Sequence, residues 1–222
     1  MTTNLTSSLE TIQLPEPAFE HGKSLFEALK LRRTVRTMRA GELPLQIMGD
    51  ILWAAQGVNR RSGGPFNGPG RTAGSASNSQ EVRLYVALEK GLYLYKPDSH
   101  SLQPVLAGDQ RALAIGPGQA SIGAEAPMQL IYVADLECFK HSGFDEPRLH
   151  DVEGQKAYYY LDTGLVAQNI YLAAAALGLA AWFHNCNRAA VGKVLGLGSH
   201  ELALFGQTVG YEEAEAKQAL RI

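Results

Sequence analysis

Gly164-Leu-Val-Ala-Gln-Asn-Ile-Tyr-Leu-Ala-Ala-Ala-Ala-Leu-Gly-Leu-Ala-Ala-Trp-Phe183 runs for twenty residues without a charge, and the fold turns on how it is read. A helix of that length can cross a bilayer. Against that reading, Gln168 and Asn169 sit in mid-span, Ala and Gly outnumber Leu and Ile, and no Lys/Arg cluster flanks the stretch. The preferred reading is a central helix of a water-soluble domain. It runs from about Glu153 to Leu177, is buried on all sides, and stops at Gly178.

Outward from this helix the punctuation is regular. On its C-terminal side Asn187 caps a short helix, Arg188 to Leu195, which ends before Gly196, and Ala203 to Val209 reads as a strand. On its N-terminal side Met128 to Val133 reads as a buried strand, and Asp109 as the cap of a short helix ending at Gly116. Val82, Leu84, Val86 and Leu88 alternate with Arg83, Tyr85 and Glu89, a strand of period two; Lys90-Gly91 turns the chain into a partner at Leu92–Tyr95, and Pro97-Asp98-Ser99 turns it again. Further upstream, Ser24 and Glu27 form a capping box for a helix ending near Leu31, with Leu25, Ala28 and Leu29 on one face. A second helix opens at Pro44 and stops at Gly57, its stripe being Ile47, Met48, Ile51, Leu52 and Ala55. Interleaved strands and helices give a mixed α+β class, with helices flanking a sheet. Residues 1–22 read as an N-terminal arm and 23–222 as one domain.

The bulk numbers exclude several function classes. The 222 residues carry a net charge of −2, so no global field favours nucleic acid or an anionic membrane. Two cysteines, Cys138 and Cys186, lie far apart, which fits a reducing compartment and a cytoplasmic location. The first thirteen residues lack the basic-then-apolar pattern of a secretory signal.

Three stretches could carry chemistry. Arg32-Arg33-Thr34-Val35-Arg36 places three guanidiniums and a hydroxyl within five residues, a set shaped to fork onto a phosphate; a solvated basic helix end and a nucleic-acid contact are the other readings. Arg71 to Gln80, containing Gly74-Ser75-Ala76-Ser77-Asn78, closes a long Gly- and Asn-rich loop from Val58 to Ser79. Its small residues would let a planar ligand approach the backbone, or they form a flexible solvent loop. His184, Asn185 and Cys186 lie at the exit of the central helix, where most residues are core by default. Neither a Cys–His nucleophile nor a metal site is supported by two residues alone. No dinucleotide-binding glycine fingerprint and no P-loop occurs.

Leu29-Lys-Leu-Arg32-Arg-Thr-Val-Arg36, Gly74-Ser-Ala-Ser-Asn78-Ser-Gln80 and Asp162-Thr-Gly-Leu-Val-Ala-Gln-Asn169 with Gly178-Leu179 resemble, in order, the three signature blocks of the nitroreductase family. Ile51-Leu-Trp-Ala-Ala-Gln-Gly57 and Gly91-Leu-Tyr-Leu-Tyr-Lys-Pro97 resemble the branch that includes azoline (thiazoline/oxazoline) dehydrogenases. The resemblance implies a mainly antiparallel sheet flanked by helices, a homodimer, and FMN held between its subunits. It implies that Arg32, Arg33, Thr34 and Arg36 meet the phosphate, ribityl chain and N1/O2 edge. Ser75, Ala76, Ser77 and Asn78 would line the ring from the other subunit, Asn185 and Cys186 would offer backbone near N5, and Lys217 or Arg221 would reach the phosphate. The expected activity is ping-pong hydride transfer from NAD(P)H through flavin N5 to a nitroaromatic, a quinone or a similar acceptor such as an activated alkene. Alternatives are oxidation of an azoline-type substrate and a flavin-binding domain without turnover. Gly74 and Glu81-Val82 depart from the pattern, where it has a proline, then a proline and an aromatic. Gly63 to Gly70 reads as a wall or lid of the pocket.

Overall fold

Local chemistry sets the helix ends. Ser24 caps the first helix, Leu25–Leu31 (α1): its Oγ accepts from Glu27 N at 3.3 Å, and Ser24 N donates to Glu27 Oε2 at 3.0 Å. In this computed structural model, which describes residues 9–61, 68–119, 123–142, 144 and 146–213, the elements in chain order begin with β1 (Ile12–Gln13), α1, β2 (Met38–Arg39), α2 (Leu45–Gln56), β3 (Val58–Arg60) and β4 (Gly70–Arg71). Then come β5 (Val82–Leu88), β6 (Gly91–Lys96), β7 (Ser101–Ala107), β8 (Met128–Asp135), α3 (Val152–Ala176), β9 (Ala180–His184), α4 (Arg188–Leu195) and β10 (Glu201–Glu212), with short 3-10 turns between them. Pro44 precedes α2 and Gly57 ends it; Asn187 caps α4, and Gly196 closes it in the left-handed conformation.

The main sheet runs β1-β7-β6-β5-β8-β10, with every neighbour antiparallel. β10 also pairs with β9 through Gly206–Gly210 and with β2 through Tyr211 and Glu212. The expected mixed α+β class with a central antiparallel sheet is the observed one. One face of the sheet packs under α2 and α3, where Ile51, Leu52, Leu84, Val86, Leu130 and Ile170 are fully buried. The other face carries Tyr85, Ala87, Ile131 and Val133 against the 3-10 turn Arg111–Ala114, Cys186 and Val191 of α4.

That second layer corrects the period-two reading of Val82–Leu88. The strand alternates in sequence, yet its residues on both faces are buried, because two layers cover it. β8 is buried at all eight positions for the same reason. Close approach is strictest at Gly206, where a Cβ would meet the Ala114 carbonyl and the His184 ring. The loop Val58–Ser79 contains the β3–β4 ribbon and a 3-10 turn at Ala76–Asn78. Short β1 and β2, and the full strands β7 and β9, had no counterpart in the sequence reading.

α3 also departs from expectation. It is not buried on all sides: Leu161 is 60% and Leu165 42% exposed, and Ala157, Gly164 and Gln168 share that face. α1 adds Phe26 at 82% and Leu25 at 60%, so of the stripe Leu25, Ala28 and Leu29 only Ala28 is buried. Among the described residues no helix is long and apolar enough to cross a membrane.

Candidate functional site

The segment Ser75–Gln80 has an unusual backbone. Ser77, Asn78 and Gln80 all have positive φ, at 50°, 57° and 53°. Left-handed conformations are uncommon for residues with a Cβ and persist only where the surroundings enforce them. Here they do. Gln80 N donates to Ser75 Oγ (3.0 Å); Gln80 Nε2 donates to Pro69 O (2.7 Å) and Asn78 Oδ1 (2.8 Å). Arg71 Nε donates to Gln80 Oε1 at 2.5 Å, and Ala76 N donates to Asp162 Oδ2 of α3 at 2.9 Å. An open cleft of roughly 210 Å³ borders the segment, lined by Arg60, Arg71, Gly74, Ser75, Ser77 and Asn78. Burial holds the Arg71 guanidinium below its ordinary pKa, partly offset by Asp98.

The arginine stretch is built differently. Arg32 ends α1 by donating its N–H to the Ala28 carbonyl, and Val35 N donates to Ala181 O (3.0 Å), which lays the stretch along β9. Tyr171 of α3 is the anchor. Its hydroxyl meets Thr34 Oγ1 at 3.1 Å and accepts from Phe183 N at 2.8 Å, while the Arg32 guanidinium lies over its ring at 5.4 Å. Arg33 pairs with Glu212 at 2.6 Å. Arg36 is exposed, and among the described residues no carboxylate pairs with Arg32 or Arg36. Two cations in one stretch, half-buried Arg32 and exposed Arg36, with no carboxylate partner among the described residues suit an anionic ligand.

Asn185 and Cys186 stand at the end of β9, a strand rather than the exit of a helix as the sequence suggested. Asn185 is exposed, and its carbonyl accepts from Gly116 N (2.8 Å). Cys186 is buried in the apolar layer, which pushes its thiol pKa up. His184 Nε2 lies 2.8 Å from Thr208 Oγ1, whose hydroxyl donates to Gln129 Oε1 at 2.6 Å. Burial lowers the His184 pKa, so the ring is a neutral member of a buried network. Among the described residues no three His, Cys, Asp or Glu side chains gather as metal ligands. Lys217, Arg221 and residues 63–67 of the expected lid lie outside the described residues.

The structure thus brings Arg32–Arg36 alongside β9, whose end carries Asn185 and Cys186, and holds Ser75–Asn78 elsewhere. Asp162 and Tyr171, the two anchors, lie nine residues apart on α3. At 3.6 residues per turn they point half a turn away from one another, about 13 Å apart along the axis. Tyr171 was absent from the sequence-based candidates; a tyrosine in an apolar helix reads as core until its partners are known. Asp162 was legible as part of a block, and Glu81 only as a departure from one.

Taken separately, the basic stretch suits an anionic group and the rigid Ser75–Asn78 backbone suits a flat one. Residues 29–211 match the model of the nitroreductase family. The chain is 32% identical over 179 residues to a protein of Methanocaldococcus jannaschii that carries a nitroreductase designation, covering 77% of this chain and 82% of that one. Among solved structures, one given the same designation from Ralstonia eutropha JMP134 superposes with a TM-score of 0.78 at 30% identity, covering 94% of this chain and 92% of the other. The Escherichia coli microcin synthetase complex, solved with truncated pro-MccB17 bound, has a chain sharing the fold at TM-score 0.63 and 16% identity, covering 90% of this chain and 77% of that one. The chain belongs to the nitroreductase family, whose class of chemistry is oxidoreduction.

Proposed function

We propose that the protein is an FMN-dependent oxidoreductase acting as a homodimer, taking reducing equivalents from NAD(P)H and passing them to a nitroaromatic, quinone or similar acceptor. The carrying observation is the pairing of half-buried Arg32 and exposed Arg36, which have no carboxylate partner among the described residues, with a rigid Ser75–Asn78 segment anchored on the opposite side of α3. In one chain their anchors on α3, Asp162 and Tyr171, point opposite ways, and the cleft beside Ser75–Asn78 is not lined by Arg32 or Arg36. A second copy set against the exposed face of α3, where Leu161 and Leu165 lie, would bring its own Ser75–Asn78 toward the first copy's arginines. Covering these residues and α1's Leu25 and Phe26 is also what an apolar surface of this extent favours.

The residues fit FMN by their chemistry. Arg32 and Arg36 would hold the phosphate and the anionic ring edge, with Thr34 as a neutral donor. The Ser75–Asn78 backbone, fixed in advance, would line the ring at little ordering cost. Asn185 and Cys186 would present backbone from the end of β9, and Lys217 or Arg221 would add charge at the phosphate. When bound, FMN would supply the two-electron redox centre, and a nearby guanidinium favours its reduced, anionic form. Domain limits of 1–22 for the arm and 23–222 for the body go with this reading. So does a cytoplasmic location, which the unpaired Cys138 and Cys186 suit.

An absorption spectrum and an FMN titration of the purified chain test the cofactor; a colourless protein that takes up no FMN overturns it. Anaerobic NADH or NADPH is expected to bleach the bound flavin and a quinone to restore it. A second reading, oxidation of an azoline-type substrate, rests on the Ile51–Gly57 and Gly91–Pro97 blocks; bleaching by an azoline peptide but by neither nicotinamide would install it. Reduction by dithionite alone would favour a binding domain without turnover.

A further inference from the structure

Glu81 follows the strained segment and precedes β5, where the resemblance puts proline. Its backbone carbonyl accepts from Asp135 N at 2.9 Å, so the position is fixed in the sheet. Its side chain is fully buried. Oε2 accepts from Ser79 Oγ at 2.7 Å, and Oε1 has no donor. Asp162 of α3, 3% exposed, takes Ala76 N with Oδ2 and meets the Glu81 carboxyl at hydrogen-bonding range. Two ionised carboxylates can only accept, so the contact has no hydrogen unless one acid keeps its proton.

Among the described residues, the groups around the pair supply no cation. From its own loop come the Ser79 hydroxyl and the Ala76 amide; from the 3-10 turn Leu136–His141, the neutral Cys138 thiol feels Glu81. From α3 itself, the Tyr158 hydroxyl feels Asp162 and is bonded to Glu146 at 2.6 Å, with Arg148 lying 5.9 Å over its ring. Arg71 lines the same cleft as Asp162 but is committed to Gln80 and Asp98. On β8, Asp135 is paired with Arg83.

We propose that Glu81 and Asp162 hold one proton between them, and that this proton is the pin fastening the Ser75–Gln80 segment to α3, which makes both of them positioning residues for the ligand-lining segment. The role of that segment rests on the proposed function; the shared proton does not. The proton is held as Glu81 O–H donating to the Asp162 carboxylate, or the reverse, and its loss to solvent leaves two facing anions. The Glu81 pKa is pushed up to about 8, first by burial and then by Asp162, and burial also raises Asp162. The folded chain therefore keeps a proton that the unfolded chain gives up near the ordinary glutamate value of 4.5. The stabilisation is complete below that value and is lost as the pH climbs toward about 8.

Glu81→Gln is the discriminating variant. Its amide donates permanently to Asp162 while its Oε1 accepts from Ser79, a copy of the protonated state. In the infrared difference spectrum of wild type minus E81Q, a protonated carboxylic acid band is expected near neutral pH and is expected to fade by about pH 9. Wild-type Tm is expected to fall more steeply with rising pH than that of E81Q. Wild-type FMN affinity is expected to drop about tenfold between about pH 6 and 9, and that of E81Q less than about twofold. Asp162→Asn, which keeps an oxygen for Ala76 N and donates to Glu81, is expected to match E81Q and replaces it if E81Q does not fold. No acid band near pH 6, or parallel pH profiles for wild type and both variants, overturns the shared proton. The infrared and thermal measurements need no flavin, so failure to bind FMN would overturn the proposed function while these two still decide the proton.

Discussion

On the proposed function, the Arg32–Arg36 stretch and the Ser75–Gln80 segment would prepare a protein surface for one ligand in two different ways. The first is exposed and lightly held: Thr34 and Arg32 lean on Tyr171, and Arg36 faces solvent. The second carries three left-handed residues and is pinned by Arg71, Pro69, Asp162 and its own side chains. Charge attraction falls off slowly with distance, so a phosphate site tolerates side chains that settle late. A flat ring against backbone tolerates far less error, so the strain is built in beforehand and held by hydrogen bonds.

The largest expected effect comes from separating the two regions into different copies. Leu161→Asp on the exposed face of α3 should yield a monomer by sedimentation that no longer retains FMN, because a charge buried in an apolar interface is strongly disfavoured. A dimer with FMN still bound would mean that this face is not the interface.

Next is the rigid region itself. Gln80→Leu removes donors to Pro69 and Asn78 and leaves the Arg71 Nε–H without its acceptor. A loss of about 2–4 kcal/mol of stability is expected, seen as roughly 5–15 °C in Tm. A shift under about 2 °C would show the segment to be less constrained than its backbone indicates.

Smaller, and confined to binding, is Arg36→Ala. FMN affinity should fall by about 1.5–3 kcal/mol with stability nearly unchanged, since the side chain is exposed and has no carboxylate partner among the described residues. Unchanged affinity would remove Arg36 from the site. The smallest effect is expected for Arg33→Ala. Its guanidinium is already taken by Glu212 and is half exposed, so a loss within about 1 kcal/mol is expected by the same titration. A loss equal to that of Arg36→Ala would show that the Glu212 pair opens for the ligand.

Sequence alone determined what depends on near neighbours in the chain. The Ser24–Glu27 box, the Asn187 cap, the Gly57 and Gly196 stops and the β5–β6 turn involve residues three or four apart, so the same chemistry acts whatever the rest of the chain does. The ordered blocks carried the family, and the resemblance set the expectation of a site at Arg32–Arg36 and Ser75–Asn78. Tertiary structure decided everything that needs a distant partner. β7 and β9 are strands because β6 and β10 offer ladders, and Val82–Leu88 is buried on both faces because two layers arrive from elsewhere. Tyr171 became the anchor of the arginine stretch only once Thr34, 137 residues away in sequence, lay against its hydroxyl. Glu81 and Asp162 read as two ordinary acids until folding took both out of water and left a single place for a proton between them.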